Sequence, residues 1–198
     1  MTIAVANTLT AKEEQREKMT SSIAMIMTLV SFSMLFATLM MGYVAYRFTS
    51  TVWPPLGMQR AGLELPTIST VIILLSSLTY FLTERANEEG NTKALKRNFL
   101  FTLILGTLFM VSQLFLWSDL KGNGIYVDTT VFASIIYAFT WVHAAHVIGG
   151  LIALLLLIPS VLGKRNKLRN QIWFNNVGQF WHFLGIVWAI IYFSIFVF

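Results

Sequence analysis

The most regular feature of the chain is a series of five stretches that contain no charged residue. Each contains 19 residues or more, and a helix needs about 20 mostly apolar residues to cross the hydrocarbon core of a bilayer. Polar loops separate the stretches. The pattern predicts an all-α fold, an integral membrane bundle of five transmembrane helices with spans at about 21–47, 66–83, 98–118, 129–158 and 175–197.

Composition also points to a lipid environment. Charged residues make up 12% of the 198 residues, whereas an ordinary soluble domain has about 25%. Cysteine is absent, which excludes disulfides, thiolate metal sites and cysteine nucleophiles. No phosphate-binding loop, nucleophile elbow or zinc-protease helix is recognisable. Any chemistry within the membrane would therefore depend on histidines and neutral polar side chains.

Positive charge falls mostly on one side of the predicted membrane. Lys and Arg number three in the first 19 residues, four between the second and third helices and four between the fourth and fifth. The other side has only Arg47, Arg60 and Lys121. Cytoplasmic loops carry an excess of Lys and Arg. We therefore expect a polar cytoplasmic tail at 1–19, a membrane domain at 20–198, and a C-terminus that faces outward.

The second stretch is the most polar of the five, because it contains seven Ser and Thr residues between Thr67 and Thr83. Hydroxyl side chains can bond to a carbonyl of the preceding turn or to a neighbouring helix. They therefore favour small-residue packing over the alternative, a polar pore lining. In the loop before this stretch, Trp53, Pro54 and Pro55 predict a stiff ledge at the headgroup level, because prolines restrict the backbone and tryptophan suits that depth.

Two further signals predict where helices start. Pro66 suits the first position of the second helix, where a missing N–H costs nothing. Asn175 and Asn176 suit the start of the fifth helix, where an asparagine side chain can act as a cap.

Among the ionisable side chains of the predicted spans, we expect three histidines to have a functional or structural role: His143, His146 and His182. An ionisable group at membrane depth is costly unless it has a partner. One hypothesis is that imidazoles from two helices bind a haem iron. The other, which we favour, is that neutral imidazoles form hydrogen bonds across helices or to lipid headgroups. No proton relay is expected, because the nearest acids lie at or beyond the predicted helix ends: Glu64, Glu84, Asp119 and Asp128.

Three strings occur in an order and at a spacing that resemble subunit III of the haem–copper respiratory oxidases. They are Trp53-Pro54-Pro55 with Gly57 and Leu63-Glu64-Leu65-Pro66, then His143-Ala144-Ala145-His146-Val147, and finally Phe180-Trp181-His182-Phe183 with Trp188 and Tyr192. Further matches are Gly106, Phe109, Gln113, Trp117 and Tyr126. The resemblance covers nearly the whole chain from the first helix onward, and it is to the shorter, five-helix bacterial form of the family.

The resemblance implies an accessory subunit of a terminal oxidase that oxidises cytochrome c, reduces oxygen and moves protons. In this family subunit III has no catalytic centre, cofactor or metal of its own, and haem and copper are expected in the partner catalytic subunits. Expected partners are subunit I, subunit II, possibly a small subunit IV, and phospholipids, in the inner membrane of a bacterial cell. Lipid-binding or structural roles are implied for eight residues: Trp53, Pro54, Pro55, His143, His146, Trp181, His182 and Trp188.

Two positions depart from the family pattern. A buried glutamate that follows a serine in the family is Phe32 here, after Ser31, and an aspartate that follows the Trp-His-Phe string is Gly185. A scaffold role does not depend on either acid, but a role in proton uptake would. We expect contact with a partner on small-residue faces of the first two helices: Ser33, Ala37, Gly42, Ser69, Ser76 and Ser77.

Alternative interpretations remain open from the sequence. Within the family, the chain could serve a quinol oxidase or a nitric-oxide reductase, although the Trp-Pro-Pro loop favours cytochrome c as the electron donor. Outside it, the chain could be a stand-alone di-histidine haem protein or a small transporter.

Overall fold

The structure, a computed structural model, describes the backbone of residues 2–50, 62–163 and 167–197 and the side chains of 12–50, 62–163 and 171–197. This part of the chain contains no strand. The helices are α1 (Thr2–Thr49), α2 (Glu64–Glu88), α3 (Thr92–Gly122), α4 (Val131–Val161) and α5 (Lys167–Ile191), and α5 continues as a π-helical segment, Tyr192–Val197. Five of the described helices are long and apolar enough to span a membrane. The prediction of an all-α, multi-pass membrane protein is confirmed.

Several helices extend further than their charge-free stretches. α1 includes most of the polar segment at 1–19, and α2 continues past Thr83 to Glu88. Pro66 lies in the first turn of α2 but is not its first residue. α5 begins at Lys167, so the prediction that Asn175 and Asn176 open it is wrong. Charged residues can lie on a helix where it leaves the hydrocarbon core, so a charge-free window gives only a minimum length.

Side-chain caps and glycines define the short connections between α2, α3 and α4. Oδ1 of Asn91 accepts a hydrogen bond from the N–H of Ala94 at the start of α3, and Oγ1 of Thr130 accepts one from the N–H of Ala133 at the start of α4. α2 is followed by Gly90, whose φ of 70° is the left-handed conformation that ends many helices and that glycine adopts without strain. The turn between α2 and α3 is therefore closed by local interactions alone.

Contacts between helices establish an up-and-down bundle. α2 and α3 are antiparallel. Ser69, near the start of α2, bonds Ser112 near the end of α3, whereas Ser76, further along α2, bonds the carbonyl of Thr102, which lies earlier on α3. The first and last helices run parallel, since Asn176 donates to Ser21 at one end and Tyr43 to the carbonyl of Ser194 at the other. Consecutive helices thus alternate in direction.

This alternation brings the Lys- and Arg-rich segments to one end of the bundle. The charged start of α1, the α2–α3 turn and the start of α5 all lie there. The structure thus places the Lys- and Arg-rich segments on one side, as the charge pattern predicted. That this side is cytoplasmic stays a prediction.

α1 is the most peripheral helix. It packs mainly against α4 and α5, whereas α5 contacts α1, α2 and α4. Among the described side chains of α1, only Phe36 and Tyr43 are buried. The core consequently lies among α2–α5, and α1 covers one side of it.

Candidate functional site

Trp181 lies at the centre of the bundle, where α5 meets α2, α3 and α4. Its indole is 1% exposed and occupies the space beside two glycines, Gly106 on α3 and Gly150 on α4. A methyl group added at Gly106 would lie 2.8 Å from the indole ring, and one added at Gly150 would lie 3.1 Å from it. The indole N–H donates to Oγ of Ser76 on α2 over 3.2 Å. One side chain of α5 therefore contacts the three other core helices.

Trp188 repeats this arrangement two turns further along α5. Its indole N–H donates to Oγ1 of Thr70 on α2 over 3.0 Å, and the ring is fully buried. The ring centroid lies 5.0 Å from that of Phe109 on α3 and 5.2 Å from that of His143 on α4. Residues seven apart share a helix face, which explains why both tryptophans enter the core. We refer to Trp181, Trp188 and these contacts as the central cluster.

Most of the hydroxyl groups of α2 are directed into this interior. Ser69, Ser76 and Thr83 are fully buried, and Thr79 shares a hydrogen bond of 2.9 Å with Thr102 on α3. Buried hydroxyls with partners on the neighbouring helix are the small-residue packing that the sequence predicted for α2. The same burial shows that the prediction of partner contact at Ser69 and Ser76 is wrong, because both are enclosed within the bundle.

His143 and His146 have different surroundings, although they lie on one face of α4. His143 is fully buried, and among the described residues neither of its ring nitrogens has a hydrogen-bond partner. His146 is partly buried, and its Nδ1 lies 2.6 Å from the carbonyl oxygen of Val142 on its own helix. Its ring contacts Phe32 edge to face at 4.3 Å. The expectation of hydrogen bonds across helices is therefore not met at either histidine.

His182 does interact across helices, at the rim of the bundle. Its Nδ1 lies 2.5 Å from Oγ of Ser77 on α2, and its Nε2 lies 3.6 Å from Oε2 of Glu84 on the same helix. The ring also meets Tyr80 edge to face at 5.9 Å. Both the imidazole and the carboxylate are a little under one-third exposed. We refer to these three side chains, Ser77, Glu84 and His182, as the rim.

Sequence reasoning missed the role of Glu84. We placed Glu84 at a helix end, but α2 continues beyond it, and the carboxylate turns back over Gly178 on α5. A methyl group at Gly178 would overlap Oε1 of Glu84 and the ring of Tyr80, so only glycine leaves room for the carboxylate in this position. The spacing of seven residues between Ser77 and Glu84 was the available signal, because it places both on one face of α2.

The two departures from the family pattern also have a place in the structure. Phe32 packs against His146 and, at 5.7 Å, against Phe180 of α5. Gly185 lies beside the rim, where an added methyl group would contact Cβ of Ser77 at 3.8 Å. An aromatic ring thus fills the position of one family acid, and the nearest carboxylate to His182 comes from α2.

The surroundings of His143 do not suit an axial ligand of haem. An axial ligand must present a ring nitrogen to a space that holds a porphyrin. His143 is instead enclosed by the rings of Phe36, Phe109 and Trp188, with centroids 5.2–6.2 Å away. The described residues also contain no group of three or more His, Asp or Glu side chains able to hold a metal ion.

The ledge residues of the loop cannot be placed. Trp53, Pro54 and Pro55 lie outside the described residues. Their predicted interfacial role stays a prediction.

A shallow apolar groove runs between α3 and α4 on the outer surface. It has a volume of about 390 Å³ and is lined by Leu103, Ile104, Thr107, Leu108, Leu151 and Leu155. Its lining is almost entirely hydrocarbon, which is the surface that an acyl chain or an apolar helix contacts favourably in a membrane.

Comparison with known proteins finds one family along nearly the whole chain. The family described as "Cytochrome c oxidase subunit III" matches residues 3–198. A probable cytochrome c oxidase subunit 3 of Nocardia farcinica is 32% identical over 177 residues, covering 87% of each chain. A cytochrome c oxidase subunit 3 of Thermostichus vulcanus is 27% identical over 86% of this chain and 83% of the relative. The subunit 3 of Loxodonta africana is 28% identical over 73% of this chain, which spans 54% of that longer protein.

Proposed function

The chain belongs to the cytochrome c oxidase subunit III family, and from this premise we propose that it stabilises the catalytic subunit of a haem–copper oxidase and binds phospholipid beside it. Membership makes the chain a subunit of a multi-subunit oxidase complex. The finer assignment of its task rests on the surfaces of α1, α3 and α4.

The outer face of α1 carries the proposed contact with the catalytic subunit. Gly42 is exposed on it, and nothing lies within 4 Å of a methyl group added there. Ser33 and Ala37 are also exposed on α1, but they lie on a different side of the helix from Gly42. Helices approach closely in lipid through small residues, because association there depends on van der Waals fit. The opposite side of α1 is already used, since Phe36 and Tyr43 are buried against the rest of the bundle. A second helix therefore fits the outer face without displacing α1.

The apolar groove between α3 and α4 supports the lipid-binding part of the proposal. Leu103, Leu108 and Leu155 contribute hydrocarbon to it, and Thr107 bonds the carbonyl of Leu103 within its own helix, which leaves its methyl group available. An acyl chain in this groove gains contacts along two helices at once. We therefore propose that the acyl chain of a phospholipid occupies this groove.

The redox chemistry belongs, in this proposal, to the partners. Haem and copper reside in subunits I and II, cytochrome c is the electron donor, and a small subunit IV completes the assembly in the bacterial inner membrane. The central cluster supports this division of labour, because its indole and hydroxyl groups are occupied in packing helices together.

Co-purification with the catalytic subunit tests the proposal. We expect Gly42→Leu to reduce the amount of chain recovered with the haem–copper subunit at least several-fold, because a bulky side chain separates closely packed helices. The control is Gly149→Leu, which is also exposed with nothing within 4 Å of an added methyl group but lies on α4. Equal recovery of the two variants would contradict the α1 contact. Phosphate analysis of the recovered complex would measure its bound phospholipid. Its activity with reduced cytochrome c, compared with that with a quinol, would identify the electron donor.

A further inference from the structure

Gln113 and His143 are the two buried polar side chains that lack partners among the described residues. Both are fully buried, and neither the amide nitrogen and oxygen of Gln113 nor the two ring nitrogens of His143 accept or donate a hydrogen bond there. Buried polar atoms are nearly always paired with protein or with ordered water, since burying them unpaired is costly. Four unpaired atoms within one bundle therefore require an explanation.

The two side chains lie at the same level of the interface between α3 and α4. One turn before Gln113, the ring of Phe109 contacts that of His143 at 5.8 Å. One turn after it, the indole of Trp117 donates to Oγ1 of Thr140 over 3.1 Å. Because α3 and α4 are antiparallel and residues four apart share a helix face, Gln113 lies between these two contacts and opposite the turn that carries His143.

We infer that Gln113 and His143 together bind an internal water molecule that bridges α3 and α4. An amide supplies N–H donors and a carbonyl acceptor, and a neutral imidazole supplies one donor and one acceptor. No direct hydrogen bond joins the two side chains in the described part of the chain. A water molecule between them can accept from the donor of one group and donate to the acceptor of the other, and it keeps sites for a further polar atom, since internal waters typically make about three hydrogen bonds.

The surroundings explain why another protein group does not take this role. His143 is flanked by the aromatic rings of Phe36, Phe109 and Trp188, which offer no strong acceptor. The neighbouring residue on α4, Ala144, is buried and adds only a methyl group. The bridging water fixes which ring nitrogen of His143 carries the proton, and it links two helices beside the position where Trp188 packs. This inference does not rest on the proposed function.

Solid-state NMR of the full chain in lipid bilayers tests it, with water itself as the probe. In ¹⁵N-histidine-labelled protein, we expect magnetisation to pass from water protons to at least one ring nitrogen of His143 despite its complete burial. His182, which is about one-third exposed, serves as the positive reference. Absence of transfer to His143 while His182 responds would overturn the inference without any variant.

The variant Gln113→Leu sharpens the result. It removes one of the two groups that hold the water and keeps an apolar side chain of similar length, so we expect transfer to His143 to fall several-fold while the signal of His182 is unchanged. Transfer that persists at full strength, or a direct contact between the Gln113 amide and the His143 ring in the unsubstituted protein, would show that the water does not bridge them. A double variant, Gln113→Leu with His143→Phe, should recover stability relative to either single variant.

Discussion

Trp181 and His182 are consecutive on α5, yet one belongs to the interior and the other to the surface. Trp181 is 1% exposed and contacts three other helices, with one hydrogen bond to Ser76. The side chain of His182 is 30% exposed and faces a carboxylate and a hydroxyl on a single helix. The comparison shows two ways in which α5 is attached: by close packing in the centre and by polar contacts at the rim.

These two attachments differ in their expected contribution to stability. Close packing excludes water and lipid from a large ring, and truncating such a ring leaves a cavity. A partly exposed imidazole–carboxylate contact gains little, because solvent screens it and its side chains lose freedom. We therefore expect the central cluster to contribute much more to the stability of the bundle than the rim does.

The largest effect is expected for Trp181→Ala. It leaves a cavity at the meeting point of α2–α5 and removes the hydrogen bond from the indole to Ser76, so the chain should lose about 3–5 kcal/mol of stability. The control is Trp141→Ala on α4, since Trp141 is 47% exposed. Thermal unfolding of the purified protein, followed by helix content, measures both. Similar losses for the two variants would remove the distinction between centre and surface.

A smaller effect is expected for Gly106→Ala. The new methyl group would lie 2.8 Å from the Trp181 ring and 2.9 Å from Leu151, so the indole must shift. Overpacking of this kind costs about 1–3 kcal/mol. Gly149→Ala provides the matched control, because nothing lies within 4 Å of its added methyl group and alanine favours the helix. The two unfolding midpoints should move in opposite directions, and a shared direction would refute the tight fit at Gly106.

The smallest effect is expected for Glu84→Gln at the rim. The amide keeps the shape of the side chain but removes its charge from the 3.6 Å contact with His182, so stability should fall by less than about 1 kcal/mol. Glu88→Gln, at an exposed position on the same helix, is the control. The same unfolding measurement applies. A loss as large as that of Trp181→Ala would show that the rim, too, determines stability.

The number and type of helices could be predicted from the sequence because lipid imposes a simple condition, an uncharged stretch of sufficient length. Helix ends were less predictable. The charge-free window for α2 stops at Thr83, but the helix continues to Glu88, and for that reason Glu84 was assigned to a helix end. The same limitation produced the wrong start for α5.

The candidate site was predictable only in part. The resemblance singled out Trp181, Trp188 and His143 as lipid-binding or structural residues, and the structure brings all three into one cluster. Their neighbours depend on the register between helices that are distant in sequence, which no local pattern encodes. The hydroxyls of Ser69 and Ser76 could equally have faced a partner or the interior, and only the packed bundle decides between them.

The central cluster takes both of its indoles from α5, which follows the other four described helices along the chain. The first four helices can insert as they are synthesised, since short local turns join α2, α3 and α4, but the space beside Gly106 and Gly150 stays unfilled until α5 arrives. The packing of the first four helices therefore stays incomplete until α5 enters the bundle. A ribosome that stops before α5 releases four helices without their common centre.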